Sequence, residues 1–371
     1  MMEIPKKNRL FCSVGRKDEG MMNEKKQIAV LFGGCSPEYG VSLQSACAVI
    51  RHMDRSVYVP VLIGITKQGD WFHFHGSVEK IAYDTWHNDA DCTPAAVSPS
   101  RSEHVILTYT SAGVQKLPID AAFPVLHGQN GEDGTVQALF TLAGIPLVGC
   151  GVLASALCMD KDRAHRLARA AGVAVPRSFI LDRNGDMESA FPLAEELGYP
   201  LFVKPVKAGS SFGVTKVAER PALSAAIHAA FSYDDHVIVE EAIPGFEVGC
   251  AVLGNDELTV GEVDEIELAD GFFDFTEKYT LKTSAIHVPA RIDAATAQRV
   301  KQTARTIYKA LDCRGFARVD LFLTGSGEIV FNEVNTIPGF TSHSRFPTML
   351  KAVGISFEQV ISRAIELAVE P

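Results

Sequence analysis

The sequence predicts an α/β protein of several units, on three observations. Short apolar strands alternate with amphipathic helices from Gln27 onward, two strands run straight into glycine-rich loops, and one β-hairpin near the C-terminus gathers polar groups on a single face. The alternation implies an N-terminal parallel sheet covered on both sides. Ligands in such a sheet sit beyond the carboxyl ends of the strands, where both glycine loops fall. At 371 residues and 47% apolar content the chain is long enough for two or three units with real cores.

Residues 1–26 are charged and aperiodic and lack the apolar stretch of a signal peptide. They read as a disordered tail, and Met21 or Met22 would serve equally as the start. The first unit, 27–149, opens with a strand at Ile28 to Phe32, which runs into Gly33-Gly34 and a helix from Val41 to Ile50. Strands follow at Val59 to Ile65 and at Asp120 to Leu126, the latter ending in the loop His127 to Gly134. Residues 77–110 lack clear periodicity and read as a surface insertion.

The second unit, 150–240, begins with a helix from Ala154 to Ala171. A strand at Leu201 to Pro205, the small-residue loop Lys207 to Gly213 and a strand at Val214 to Ala218 follow, and the strand Val237 to Ile243 leads into the third unit, 241–371. There a helix starts near Asp293, buries Val300, Ala304, Ile307 and Leu311, and stops at Gly315. The last helix carries a capping box, Ser356 and Gln359, and an apolar stripe of Phe357, Val360, Ile361, Ala364, Ile365 and Ala368.

Composition excludes some partners. Thirty-five basic against 45 acidic residues give a net charge of −10, and no long basic run exists, so duplex nucleic acid is not expected. Eight cysteines without CxxC or CxxH spacing suit a reducing cytoplasm, with Cys250 and Cys313 in apolar runs as buried thiols. No stretch reaches the length of a membrane span.

The hairpin from Phe316 to Asn335 carries the chemistry. In its first strand Arg318 and Asp320 share a face opposite Ala317, Val319 and Leu321; in the second, Glu333 and Asn335 lie opposite to Val330, Asn332 and Val334. With an even turn, Asp320, Glu333 and Asn335 converge beside Arg318. Two carboxylates and an amide oxygen are hard donors that suit Mg²⁺ holding polyphosphate. A polar solvent face would show the same pattern. In the loop Lys207 to Gly213, glycines at 209 and 213 let backbone N–H groups approach phosphate oxygens, with Lys204 supplying charge, although a plain glycine turn reads alike.

Seven segments in order, 32–46, 127–137, 158–164, 203–213, 272–279, 315–322 and 332–347, resemble the D-alanine–D-alanine ligase family of ATP-grasp enzymes. The resemblance runs from residue 27 to the end. It implies an N-terminal α/β domain followed by a two-part ATP-grasp module, with ATP between its halves, two Mg²⁺ ions (or Mn²⁺), and a homodimer. It also implies ATP-driven joining of two D-amino acids through an acylphosphate. By position, Asp320, Glu333 and Asn335 match the metal ligands. Lys161, Lys204, Ser211 and Lys278 match phosphate contacts, and Glu240 and Glu247 the adenine and ribose contacts. Glu38 matches the anchor of the first substrate's ammonium group, bonded to Ser210 and Tyr279, with His127 nearby. Arg318 and the Gly339 N–H match the oxyanion donors, and Ser344 the group that binds the second substrate's carboxylate.

Arg345 stands where housekeeping members carry an apolar residue, and with the FGGCSPEYG segment it looks like the vancomycin-resistance branch. Tyr279, where D-lactate-adding members have histidine, implies an amine nucleophile; Asp264, Phe273 and Arg345 together look like D-serine-adding members. D-Serine is therefore the expected second substrate, ahead of D-alanine. Two other readings share these residues: a ligase for different acids and amines, and a non-catalytic nucleotide-binding regulator, which would tolerate loss of Arg318 or Glu333.

Overall fold

The computed structural model describes residues 25–268 and 284–370, with side chains at 268 and 284 excepted. Phe273, Lys278, Tyr279 and nearly all of the expected N-terminal tail lie outside the described residues. Among the described residues the strands form three sheets, one for each expected unit.

In the first sheet Lys26–Gly33 runs parallel to Tyr58–Ile65 on one side and to Ala121–Pro124 on the other. Ile28, Val30 and Phe32 join one apolar cluster, whereas Ala29 and Leu31 join another on the opposite face. A strand buried on both faces needs an unbroken apolar run, which is why 28–32 carries no polar residue. The helix Tyr39–His52 covers the first face. The last helix, Phe357–Val369, closes the same cluster with Val360, Ile361 and Ile365, so the chain's end locks onto its beginning.

The sheet is parallel only at its centre. Trp71–Phe74, Cys92–Val97, Val105–Thr110 and Gly113–Pro118 extend it antiparallel, and they correct the expectation of a featureless insertion at 77–110. That segment also buries Trp86 completely against Phe32 and Phe74. Its signal was faint because the outer strands are wetted; Gly113–Pro118 exposes almost every residue.

The second sheet centres on Leu201–Pro205, paired with Thr215–Val217 and His236–Glu241, with Ser178–Asp182 beyond. The expected helix Ala154 to Ala171 is instead two, Val152–Met159 and Lys161–Ala170. Asp160 separates them with an extended backbone, and its carboxylate caps the second through the Arg163 N–H at 3.0 Å. Ala154, Cys158, Ala164 and Ala168 pack with Val300, Ala304 and Phe331, so these helices share the third unit's core rather than the second's.

In the third sheet Gly245–Leu253 lies between Asp264–Leu268 and Phe316–Thr324. The helix Ala294–Ala310 begins at an Asp293 cap and buries the stripe Val300, Ala304, Ile307, Leu311 as the sequence predicts. Cys250 and Cys313 are buried, and Ser356 and Gln359 form the expected capping box. Among the described residues no helix is long and apolar enough to cross a membrane.

Candidate active site

The hairpin closes with Arg318 opposite Asn335 and Asp320 opposite Glu333, the convergence that alternation predicts. Below Asp320 the register shifts, so Leu321 pairs with Phe331 and Asn332 is the extra residue of a bulge. The bulge corrects the expected alternation. Phe331, rather than Asn332, turns into the core with Val334, while Asn332 and Glu333 both line the cleft beside the hairpin.

Arg318 grips Asp320 with two prongs, Nε to Oδ1 at 2.8 Å and Nη2 to Oδ2 at 2.6 Å. Asn335 donates from Nδ2 to the same carboxylate at 2.9 Å, and Arg345 stands 3.4 Å from Oδ1. Asp320 is 1% exposed, and a carboxylate so buried needs paired and hydrogen-bonded partners of this kind. Among the described residues no three His, Cys, Asp or Glu side chains cluster as a ready metal site. The donor set here is two carboxylates and an amide beside an open cleft, which fits a hard cation completed by oxygen atoms of a bound substrate.

That cleft, about 500 Å³, opens between the second and third sheets. Phe202, Phe246, Phe322, Ile243 and Ile266 give it an apolar slot; Lys161, Lys204, Ser211, Glu240, Glu247 and Glu333 line its polar parts. An apolar slot joined to lysines and oxygen donors suits a flat heteroaromatic ring with an anionic tail. Lys161 Nζ donates to the Ala208 carbonyl at 2.7 Å, tying its helix to the small-residue loop. In that loop Ser210 and Ser211 both adopt left-handed backbone, φ 47° and 59°. Such non-glycine residues are strained, and strain of this kind collects where a loop must clasp a ligand.

Lys204 and Glu240, which the resemblance assigns to different parts of one ligand, both line the cleft and pair with each other at 2.6 Å, with Glu240 2% exposed. Burial opposes the charge on Glu240, but Lys204 and the nearby His165 outweigh it and hold the carboxyl below its usual range. Glu247 and Asp264 are likewise paired, both with Arg345. Arg345 takes Asp264 in a two-pronged pair at 2.6 and 2.9 Å, and reaches Glu247 at 2.9 Å. Asp264 is wholly buried, so it orients Arg345 rather than facing the cleft. Burial works against the Arg345 charge, yet Asp264 and Asp320 raise its pKa further.

On the other side of the hairpin, Ser210 Oγ donates to Glu38 Oε1. Glu38 stands at the start of the Tyr39–His52 helix, and glycines make room for it: a β-carbon on Gly128 would meet its Oε2 at 2.2 Å, and one on Gly209 at 3.0 Å. Three loops from two units therefore meet at this carboxylate. Ser344 immediately precedes the helix Arg345–Lys351, its Oγ turned to Thr341 Oγ1 at 2.8 Å, and a β-carbon on Gly339 would lie 3.1 Å from the same Oγ.

His127 is buried behind this arrangement, not at its surface. Its Nδ1 donates to the Ile337 carbonyl at 2.8 Å, which leaves Nε2 to accept from Ser45 Oγ at 3.0 Å. Burial lowers its pKa and favours this neutral form. Glu132, to which sequence reasoning gave no role, completes the clasp: Oε1 accepts the Ile337 N–H at 2.7 Å and Oε2 the Gly128 N–H at 2.9 Å. Burial, then the charge of Glu38, push its carboxyl up to about 8. Ile337, two residues before Gly339, is thus held at both its N–H and its C=O by the loop His127 to Gly134. The signal for Glu132 was its place among the polar residues of that loop, but its partner lies 205 residues away.

Comparison with known proteins decides the family. Residues 27–150 match the model described as D-ala D-ala ligase N-terminus, and 167–366 the one described as D-ala D-ala ligase C-terminus. The chain belongs to the D-alanine–D-alanine ligase family. Its fold is therefore the ATP-grasp fold, and the family is ATP-dependent and normally uses Mg²⁺. The Vancomycin B-type resistance protein VanB of Enterococcus faecalis is 47% identical, the match covering 93% of this chain and 99% of the relative. The Vancomycin C-type resistance protein VanC1 of Enterococcus gallinarum is 44% identical over the same shares. The crystal structure of VanG D-Ala:D-Ser ligase from Enterococcus faecalis superposes with a TM-score of 0.87 at 56% identity, covering 93% of this chain and all of that one.

Proposed function

We propose that this ligase joins D-alanine to D-serine, consuming ATP and passing through D-alanyl phosphate, to supply peptidoglycan precursors that confer vancomycin resistance. The observation that carries the reading is the convergence of Arg318, Asp320, Glu333 and Asn335 across one strand pair, with Glu333 lining the cleft, together with the Glu38–Ser210 bond. D-Serine is supported by the buried Arg345–Asp264 pair next to Ser344 and by the likeness to the VanG structure.

In this scheme Glu38, with Ser210 and Tyr279, holds the ammonium group of the first D-alanine. Lys161, Lys204, Ser211 and Lys278 bind the phosphates, and Glu240 and Glu247 the adenosine. Asp320, Glu333 and Asn335 would hold Mg²⁺, as two ions or as Mn²⁺ in their place, and the metal supplies charge neutralisation on the triphosphate. The D-alanine carboxylate attacks the γ-phosphorus, and ADP leaves. The amine of the second amino acid, having shed a proton, then attacks the acyl carbon. Arg318 and the Gly339 N–H steady the tetrahedral oxyanion, and phosphate departs as the peptide bond forms. Arg345 and Ser344 hold the second substrate, with Asp264 and Phe273 shaping its pocket. A guanidinium oriented by a buried carboxylate can donate to a substrate hydroxyl oxygen, which D-alanine does not offer.

The enzyme would act in the cytoplasm as a homodimer on small molecules alone. The test is mass spectrometry of products formed from equimolar D-alanine and D-serine with ATP and Mg²⁺, at several pH values. D-Alanyl-D-serine should dominate, and total dipeptide should rise with pH as free amine increases. Mainly D-alanyl-D-alanine would make this a housekeeping-type ligase, and no phosphate release with any D-amino acid would refute the scheme.

A further inference from the structure

We infer that Gly249 is a positioning residue for second-substrate selection, because its missing β-carbon leaves the space in which the Arg345 guanidinium lies. The inference rests on the reading that Arg345 serves the second amino acid.

Gly249 sits in the middle of the strand Gly245–Leu253, where it pairs with Asp264 on one side and Asp320 on the other. Both carboxylates face Arg345: Asp264 in the two-pronged pair, and Asp320, gripped by Arg318, at 3.4 Å. The guanidinium therefore bridges from one neighbouring strand to the other, and the strand between must not obstruct it. Any side chain at 249 would. A β-carbon there would stand 2.5 Å from Arg345 Nη2 and 2.7 Å from Asp264 Oδ1, with Met349 Cε next at 3.0 Å. Glycine in mid-strand weakens the strand, and one justification is close approach by another group.

Nothing else at the position calls for glycine, since its φ is not among the positive ones. The three crowded atoms are also ends of side chains, not backbone. A methyl group at 249 would therefore leave the strand in place while driving the Arg345 fork off Asp264. Its effect should fall on the second amino acid, with a smaller one on ATP through the Arg345–Glu247 bond, and spare the first D-alanine, which Glu38 holds elsewhere.

The experiment is a double-mutant cycle of Gly249→Ala and Arg345→Lys in the full chain, with KM measured for ATP, for first-site D-alanine and for D-serine. Gly249→Ala should raise KM for D-serine about tenfold and lower the D-serine over D-alanine preference by a similar factor, the usual scale for a lost charged partner. KM for first-site D-alanine should move less than twofold, KM for ATP should move less than KM for D-serine, and the cooperative melt should persist. In the Arg345→Lys background, where the crowded Nη2 is gone, the same alanine should add almost nothing. Equal effects in both backgrounds, an unchanged D-serine KM, or loss of the folded state in Gly249→Ala would overturn the inference. A parent enzyme that makes no D-alanyl-D-serine would instead refute the functional reading, before any variant is made.

Discussion

Replacing Glu132 with glutamine tests whether the clasp on Ile337 positions the oxyanion donors. The carboxylate takes two backbone N–H groups, Ile337 at 2.7 Å and Gly128 at 2.9 Å. Glutamine keeps the shape and one acceptor oxygen, but its NH₂ would confront the other N–H. A buried donor left without an acceptor costs about 1–3 kcal/mol, roughly a factor of 5 to 150. Relief requires moving the backbone at Ile337 or at Gly128, and where Ile337 moves Gly339 moves with it. A shift of about 1 Å at a reacting group can cost about a hundredfold in rate. Glu132→Gln is therefore expected to lower kcat by one to two orders of magnitude while KM for ATP holds. The assay is steady-state phosphate release with saturating amino acids, beside a thermal melt. A variant with parental kcat would refute the clasp. One with lowered stability but unchanged kcat at a temperature where it is folded would show that Glu132 serves only the fold.

Glu132 also predicts a pH effect, since its carboxyl rises from an ordinary 4.5 to about 8 on folding. A raised acid stabilises most when both states are protonated; that stability is present in full below about 4.5 and is lost as pH climbs to about 8. Denaturant unfolding between pH 5 and 9 should show it, and Glu132→Gln should flatten the dependence, whose slope from one group is at most about 1.4 kcal/mol per pH unit. Lys204→Ala would strand the buried Glu240 without its 2.6 Å partner. That should destabilise the protein by roughly 3–5 kcal/mol in calorimetry and weaken ATP binding; Lys204→Ala with Glu240→Gln should recover much of the stability, and failure to do so would argue against the pair. Removing divalent metal with EDTA should abolish phosphate release until Mg²⁺ is restored, and Glu333→Gln should raise the Mg²⁺ needed for half-maximal rate. Activity insensitive to EDTA would exclude the proposed donor set.

The parts of this fold that were legible in the sequence are those fixed within one element. Strand alternation put Arg318 and Asp320 on one face, helix spacing gave Val300, Ala304, Ile307 and Leu311, and Ser356 with Gln359 announced the last helix. What alternation could not carry was the bulge between Asp320 and Leu321, where one extra residue reverses the facing of everything behind it. Nor could composition reveal the strands within 77–110, because one wetted face dilutes the apolar signal. At the site, residue types announced charge but not partner. Glu247, Asp264 and Asp320 each read as contacts to a ligand or metal, yet all three converge on Arg345. Such pairing is set by strand order across the sheet, and Gly249 lies at its crossing point. A buried arginine among three carboxylates cannot be moved without stranding charge. It follows that specificity at this site is held by the whole strand triplet, and that exchanging Arg345 alone should cost more than exchanging it together with Asp264. Measured additivity of Arg345→Met and Asp264→Asn in stability would contradict that coupling.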